Sequence, residues 1–342
     1  MSSVAGWLRG RRLVVGLPLL AVIAIGATLG VARLRSSSAS PTPPTDAVIL
    51  VVGRDSVHQS LFDARLQATL TAAEQGGAPQ QGSAQYPAFL GELRARVLKS
   101  LIFDTVVAQE AGLRGVEASD ADIDAEITVE EGNAGGAGQL DRQLAEAGGS
   151  RAQLRDLVRS RLNESRLEQL LAAERAGDAL RQLSAGAVFA DLARQLSDDD
   201  TSRAQGGALG ELSLDQLKAG DQAFLSAVTA LKTGETTAQP VRDAAGFEIL
   251  RLDAATRTSV TLHRILVAAP QPYTVRERPA WFTEAVLLAI ADDCAGGQLR
   301  VLINAGVQPC TAESSPTPAA TGNGFSPRSG PTGSPPPPAT PG

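Results

Sequence analysis

A chain of 342 residues with 43% hydrophobic and only 4% aromatic content can bury one large or two ordinary cores, built mainly from Ala, Leu and Val. Its net charge of −6, with acids and bases interspersed and no arginine-rich stripe, argues against nucleic acid as a partner. The two cysteines and two histidines form no CxxC and no metal-ligand spacing, and neither GxSxG nor GxxxxGK[ST] occurs, so no cofactor or metal is implied.

Residues 13–31, LVVGLPLLAVIAIGATLGV, form an uncharged apolar run. At 1.5 Å per residue it is about long enough to cross a hydrocarbon layer of ~30 Å. Arg9, Arg11 and Arg12 precede it, and Arg33 and Arg35 follow. The richer basic flank on the N-terminal side predicts that 1–12 stays cytoplasmic, that 13–33 is a single-pass anchor in the cell membrane, and that the bulk of the chain lies outside. A cleaved signal peptide is the competing reading, but its apolar region normally spans roughly 7–15 residues. The Ser/Pro-rich segment 34–45 is predicted to be a linker, and the Pro/Gly/Ser-rich segment 311–342 a disordered tail.

From residue 46 the pattern predicts a strand (DAVILVVG, 46–53) and a helix bearing Leu61, Phe62, Leu66 and Leu70, capped by Asp55 or Ser56. A long helix follows from about Tyr86 to Ala111. Ser119 and Asp122 then resemble a capping box. After a glycine-rich break the spacing predicts two further helices, 139–147 and 150–175. This order, with VILVVGRDSV and ASDADIDAEI as its motifs, resembles the N-terminal domain of SurA- and PrsA-type chaperones. The resemblance implies a mainly helical chaperone domain over 46–175 that holds unfolded chains through apolar patches.

The stretch GAVFADLARQLSDDDTSRAQGGALGELSLDQL (186–217), continued by QAFLSAVTALKTGETTAQPVRDAAGFEILRLDA (222–254), resembles parvulin-type peptidyl-prolyl isomerases. It implies an α+β fold over 176–310, with a small antiparallel sheet and flanking helices. Parvulins rotate the X–Pro bond, whose uncatalysed barrier is about 18–20 kcal/mol. They place an apolar pocket beside two histidines and an Asp or Cys. Position by position, Phe224 and Leu217 match the substrate-binding pocket and Asp199 the acid, while Glu248 stands where the last-strand histidine belongs. The family's first strand, R-H-I-L-V, is missing before the helix at 176. A similar string, LHRILVAA (262–269), supplies His263. Either a truncated second repeat begins at 259, or the domain is permuted and 259–268 pairs with the preceding strand as a hairpin. Asp199, His263 and Glu248 are the candidate catalytic residues.

Residues 279–293 predict an added helix begun by Pro279, and 298–306 a short further element. Cys294 and Cys310 flank that element; they form either a disulfide, as an exported setting favours, or two buried thiols.

Three functions follow from the resemblance. One is a membrane-anchored factor that binds unfolded or proline-containing secreted polypeptides without catalysis. The second is an active peptidyl-prolyl cis-trans isomerase. The third is a scaffold or signalling ectodomain.

Overall fold

In a computed structural model, residues 46–310 are described, apart from Gly148. The segments predicted as anchor, linker and tail lie outside the described residues. Among the described residues no helix is long and apolar enough to cross a membrane.

The described residues open with β1 (Val48–Val52) and β2 (Asp55–His58), joined through Gly53 at φ +57. The hairpin takes Asp55 and Ser56 into a strand, so neither caps α1 (Gln59–Gln75), whose N-cap is His58. Next come α2 (Tyr86–Leu113), α3 (Asp120–Ala134), α4 (Ala137–Glu146) and α5 (Arg151–Ser184). The capping box is present: Ser119 and Asp122 each satisfy the other's backbone N–H at the start of α3.

Past α5 lie α6 (Phe189–Leu196), α7 (Asp200–Arg203), β3 (Ala208–Ser213), α8 (Leu214–Lys218), α9 (Gln222–Ala230) and β4 (Val241–Arg242). Then follow β5 (Gly246–Ala255), β6 (Ser259–Ala268), α10 (Ala280–Ala295) and β7 (Leu299–Val301). The fold is mixed α+β, mostly helical in its N-terminal part, with two antiparallel sheets in the orders β2-β1-β7 and β3-β6-β5-β4.

The second sheet carries the displaced strand. β5 and β6 pair along their whole length as a hairpin, and β6 pairs with β3 on its other side. Segment 259–268 therefore fills a central position from the C-terminal direction. One face of this sheet packs Leu250, Leu252, Val260 and Leu262 against Leu217 and Phe224 of α8 and α9. The other packs Ile249 and Ile265 against α6 and the end of α5.

Two features differ from a division at 175/176. α5 is one helix of 34 residues, roughly 51 Å long at 1.5 Å per residue, and runs through that point as a spine shared by both units. Residues 280–301 also leave the sheet unit. Trp281, Phe282 and Val286 of α10 join Ile49, Leu50, Leu98 and Leu101 in the largest core, and β7 pairs with the free edge of β1. The physical reason is that α10 carries an apolar stripe and β1 an unpaired edge, and each supplies what the other lacks. The sheet unit, 185–268, is thus inserted within a helical unit built from both ends of the described chain. Cys294 and Cys310 are joined by a disulfide that ties the end of this unit to α10.

Candidate peptide-binding and isomerase site

Asp199 caps α7, and its Oδ2 accepts from the Ser202 backbone N–H at 3.2 Å and from the Ser202 hydroxyl. The segment before it is stitched to β6. Ser197 Oγ accepts from Leu266 N at 3.1 Å, and Asp198 Oδ2 from Ala268 N at 2.8 Å. Behind them Gly207, at φ +87, passes so close to β6 that a Cβ there would lie 2.4 Å from the Arg264 carbonyl oxygen. Only glycine fits that passage, and it lets Arg264 N donate to Gly207 O at 2.8 Å.

Glu248 on β5 is fully buried. In the register Leu250 faces Arg264 and Glu248 faces Leu266, so Glu248 and Arg264 are diagonal neighbours on one face. Arg264 Nη1 donates to Glu248 Oε1 at 3.1 Å. Its Nε and Nη2 reach Asp199 Oδ2 at 3.1 and 2.9 Å. The structure thus brings Asp199 and Glu248 together, with a guanidinium between them.

It does not bring His263 to them. Successive strand residues point to opposite faces. His263 lies on the α6 side, edge-on to Phe189, with Nδ1 2.5 Å from Asp253 Oδ2. The residue missed in the sequence is Arg264. The signal was available: in R-H-I-L-V the histidine immediately precedes I-L-V, and here that position is Arg264.

Phe224 and Leu217 share the sheet face of the ionic cluster, and each is only 2% exposed. Asp221 caps α9 and accepts from Phe224 N at 3.2 Å, which fixes the first turn that carries the ring. A prolyl ring would reach these side chains only if α8 and α9 shift.

One guanidinium serves two carboxylates, and they respond differently. Burial works against the Asp199 carboxylate, but Ser202 and Arg264 outweigh it and hold the group below its ordinary range. Burial pushes Glu248 up to about 8; Arg264 pulls it down, while Asp243 and Asp199 push it further up. The cluster therefore favours an ionised Asp199 and a proton on Glu248. Chemically this is a closed ion pair with a neutral acid beside it, in which Nε, Nη1 and Nη2 of Arg264 are all engaged. Among the described residues no cluster of His, Cys, Asp or Glu could hold a metal.

Comparison with known families matches a SurA-like N-terminal domain over residues 7–168 and a PPIC-type PPIase (rotamase) domain over residues 158–254. The two matches overlap within α5, and the second ends before β6. No curated protein matches the chain. Solved structures with likeness include the peptidylprolyl isomerase PrsA from Bacillus anthracis, 17% identical, covering 60% of this chain and 98% of that one at a TM-score of 0.24. Another is the foldase protein PrsA from Streptococcus pneumoniae, 15% identical, covering 76% and 97% at a TM-score of 0.23. Its two consecutive family matches give the chain a SurA-like N-terminal domain followed by a parvulin-type (PPIC) peptidyl-prolyl isomerase domain.

Proposed function

We propose that this protein is a membrane-anchored folding factor that binds unfolded, proline-containing polypeptides outside the cytoplasm, and that its parvulin-like domain binds without isomerising. The observation that carries the second part is Arg264. Where the family pattern has two histidines, this chain has Arg264 and Glu248, locked to each other and to Asp199. Rotation about X–Pro needs a site that disfavours the planar amide. A guanidinium committed to two carboxyl groups has little left to offer that amide. The anchor rests on the apolar run 13–31 and its basic flanks.

An active isomerase is the second reading. Asp199, Phe224 and Leu217 all stand at the family's positions, and all lie on or beside one sheet face. The deciding experiment measures isomerisation of a proline-containing tetrapeptide by the full chain and its Asp199→Ala variant, beside suppression of client aggregation. Suppression without acceleration supports the binding reading. Acceleration lost in Asp199→Ala would establish the isomerase. For the anchor, membranes of expressing cells are extracted with alkaline carbonate; release of the chain into the soluble fraction would refute it.

A further inference from the structure

The sheet unit meets the helical unit along one line. On one side is the middle of α5; on the other are β4, the start of β5 and residues 269–279. Gln169 Nε2 donates across it to Ala269 O at 3.0 Å, and Trp281 Nε1 to Ala268 O at 3.1 Å. Inside the line lies Glu168, fully buried, with no hydrogen-bond donor on either carboxylate oxygen.

The charged and titratable groups around it come from every packed element. Glu164 stands one turn earlier on α5, Arg278 and Tyr273 on 269–279, and Arg242 on β4. Asp104 on α2 acts on Glu164 from behind. Both arginines are committed elsewhere. Arg278 pairs with Glu164 and lies 4.4 Å over the Phe103 ring. Arg242 donates to the carbonyls of Asp243 and Gly246 and lies 5.0 Å over Phe247. An uncharged Glu168 suits this packing. An ionised one would lie desolvated beside Glu164, with Arg278 and Arg242 held by other partners, and lifting β4 and 269–279 from α5 would open it to solvent.

We propose that this junction is a proton-operated latch, in which protonated Glu168 holds β4 and residues 269–279 against the middle of α5 and ionised Glu168 releases them. Its working range lies in the weakly alkaline region. Burial, then Glu164, push Glu168 up to about 8, against the pull of Arg278 and Arg242.

The test uses the full chain with Trp7→Phe, so that Trp281 reports alone, together with amide exchange between pH 6 and 9. Exchange is corrected for its intrinsic pH dependence. Protection over 241–247 and 269–279 is expected to fall by about tenfold or more as the pH passes the titration of Glu168, with a parallel change in Trp281 emission. Glu168→Gln is expected to stay latched at both ends of the range. Glu168→Met, which also cannot ionise, serves if the glutamine variant does not fold. Glu248→Gln removes the other carboxylate that titrates near 8 and should leave the response in place. Unchanged protection in the parent chain would overturn the proposal. So would a full response in both non-ionisable variants, or its loss in Glu248→Gln.

Discussion

His263 and Arg264 are consecutive residues of β6 whose side chains lie on opposite faces of the sheet, His263 beside Asp253 and Arg264 between Asp199 and Glu248. His263→Ala therefore leaves the face bearing Phe224 untouched. It should cost less than about 1 kcal/mol, as expected for a partly exposed pair, and should not change peptide affinity. Titration of a fluorescent proline-containing peptide checks this; a tenfold weaker affinity would contradict it.

Arg264→Met strands the Asp199 carboxylate beside the buried Glu248 acid. Urea unfolding should show a loss of about 3–5 kcal/mol. Adding Glu248→Leu and Asp199→Asn removes the stranded charge and the buried acid beside it, so the triple variant should recover most of that loss. A triple variant no more stable than the single one would mean that the guanidinium's packing, not its charge, matters.

Stability should fall as the pH rises from about 4.5 to about 8. Glu248 and Glu168 keep protons in the folded chain that the unfolded chain releases from an ordinary value of 4.5. Over that window the unfolded state binds fewer protons, so the slope is negative, and it levels off above about 8. Asp199 acts in the opposite sense: its contribution is present above 3.8 and is lost in more acidic solution. Glu248→Gln should flatten the alkaline side by on the order of 1–2 kcal/mol between pH 5 and 8. Denaturant titrations at three pH values measure it, and an unchanged slope would rule it out.

Two glycines offer a matched comparison. Gly207→Ala places a Cβ against the Arg264 carbonyl at φ +87, whereas Gly210→Ala, at φ +75, meets nothing within 4 Å. Gly210→Ala should cost only the left-handed conformation, about 1–2 kcal/mol, and Gly207→Ala at least about 2 kcal/mol more as β6 is displaced. Equal losses would show that β6 yields freely.

Reduction of Cys294–Cys310, or Cys310→Ser, opens a loop with a sequence separation of 16. The expected loss is about 3 kcal/mol, read as a lower melting temperature. An unchanged melting temperature would mean that β7 holds the segment alone.

Local signals made much of this legible. The capping box at Ser119, the apolar spacing of α2 and the Pro279 start of α10 rest on neighbours in sequence. The β5–β6 hairpin was readable because its strands are adjacent along the chain. The pairing of β1 with β7 was not, because Leu50 and Val301 carry no local mark of each other. Nor was the shared spine, since helical periodicity does not say which core each part of α5 serves. Of the five residues read as site residues, His263 alone lies on the other face, one position from Arg264. In a strand one residue exchanges the two faces, so His263 and Arg264 changed roles.

The pairing of Leu50 with Val301 also dictates an order of events during synthesis. A chain made from its N-terminus delivers β1 early and its outer neighbour β7 nearly last. The sheet unit, complete at residue 268, can close first, while β1 and α2 wait with Leu50, Leu98 and Leu101 uncovered. Until β7 arrives, the nascent protein exposes an apolar surface of the kind that unfolded chains present.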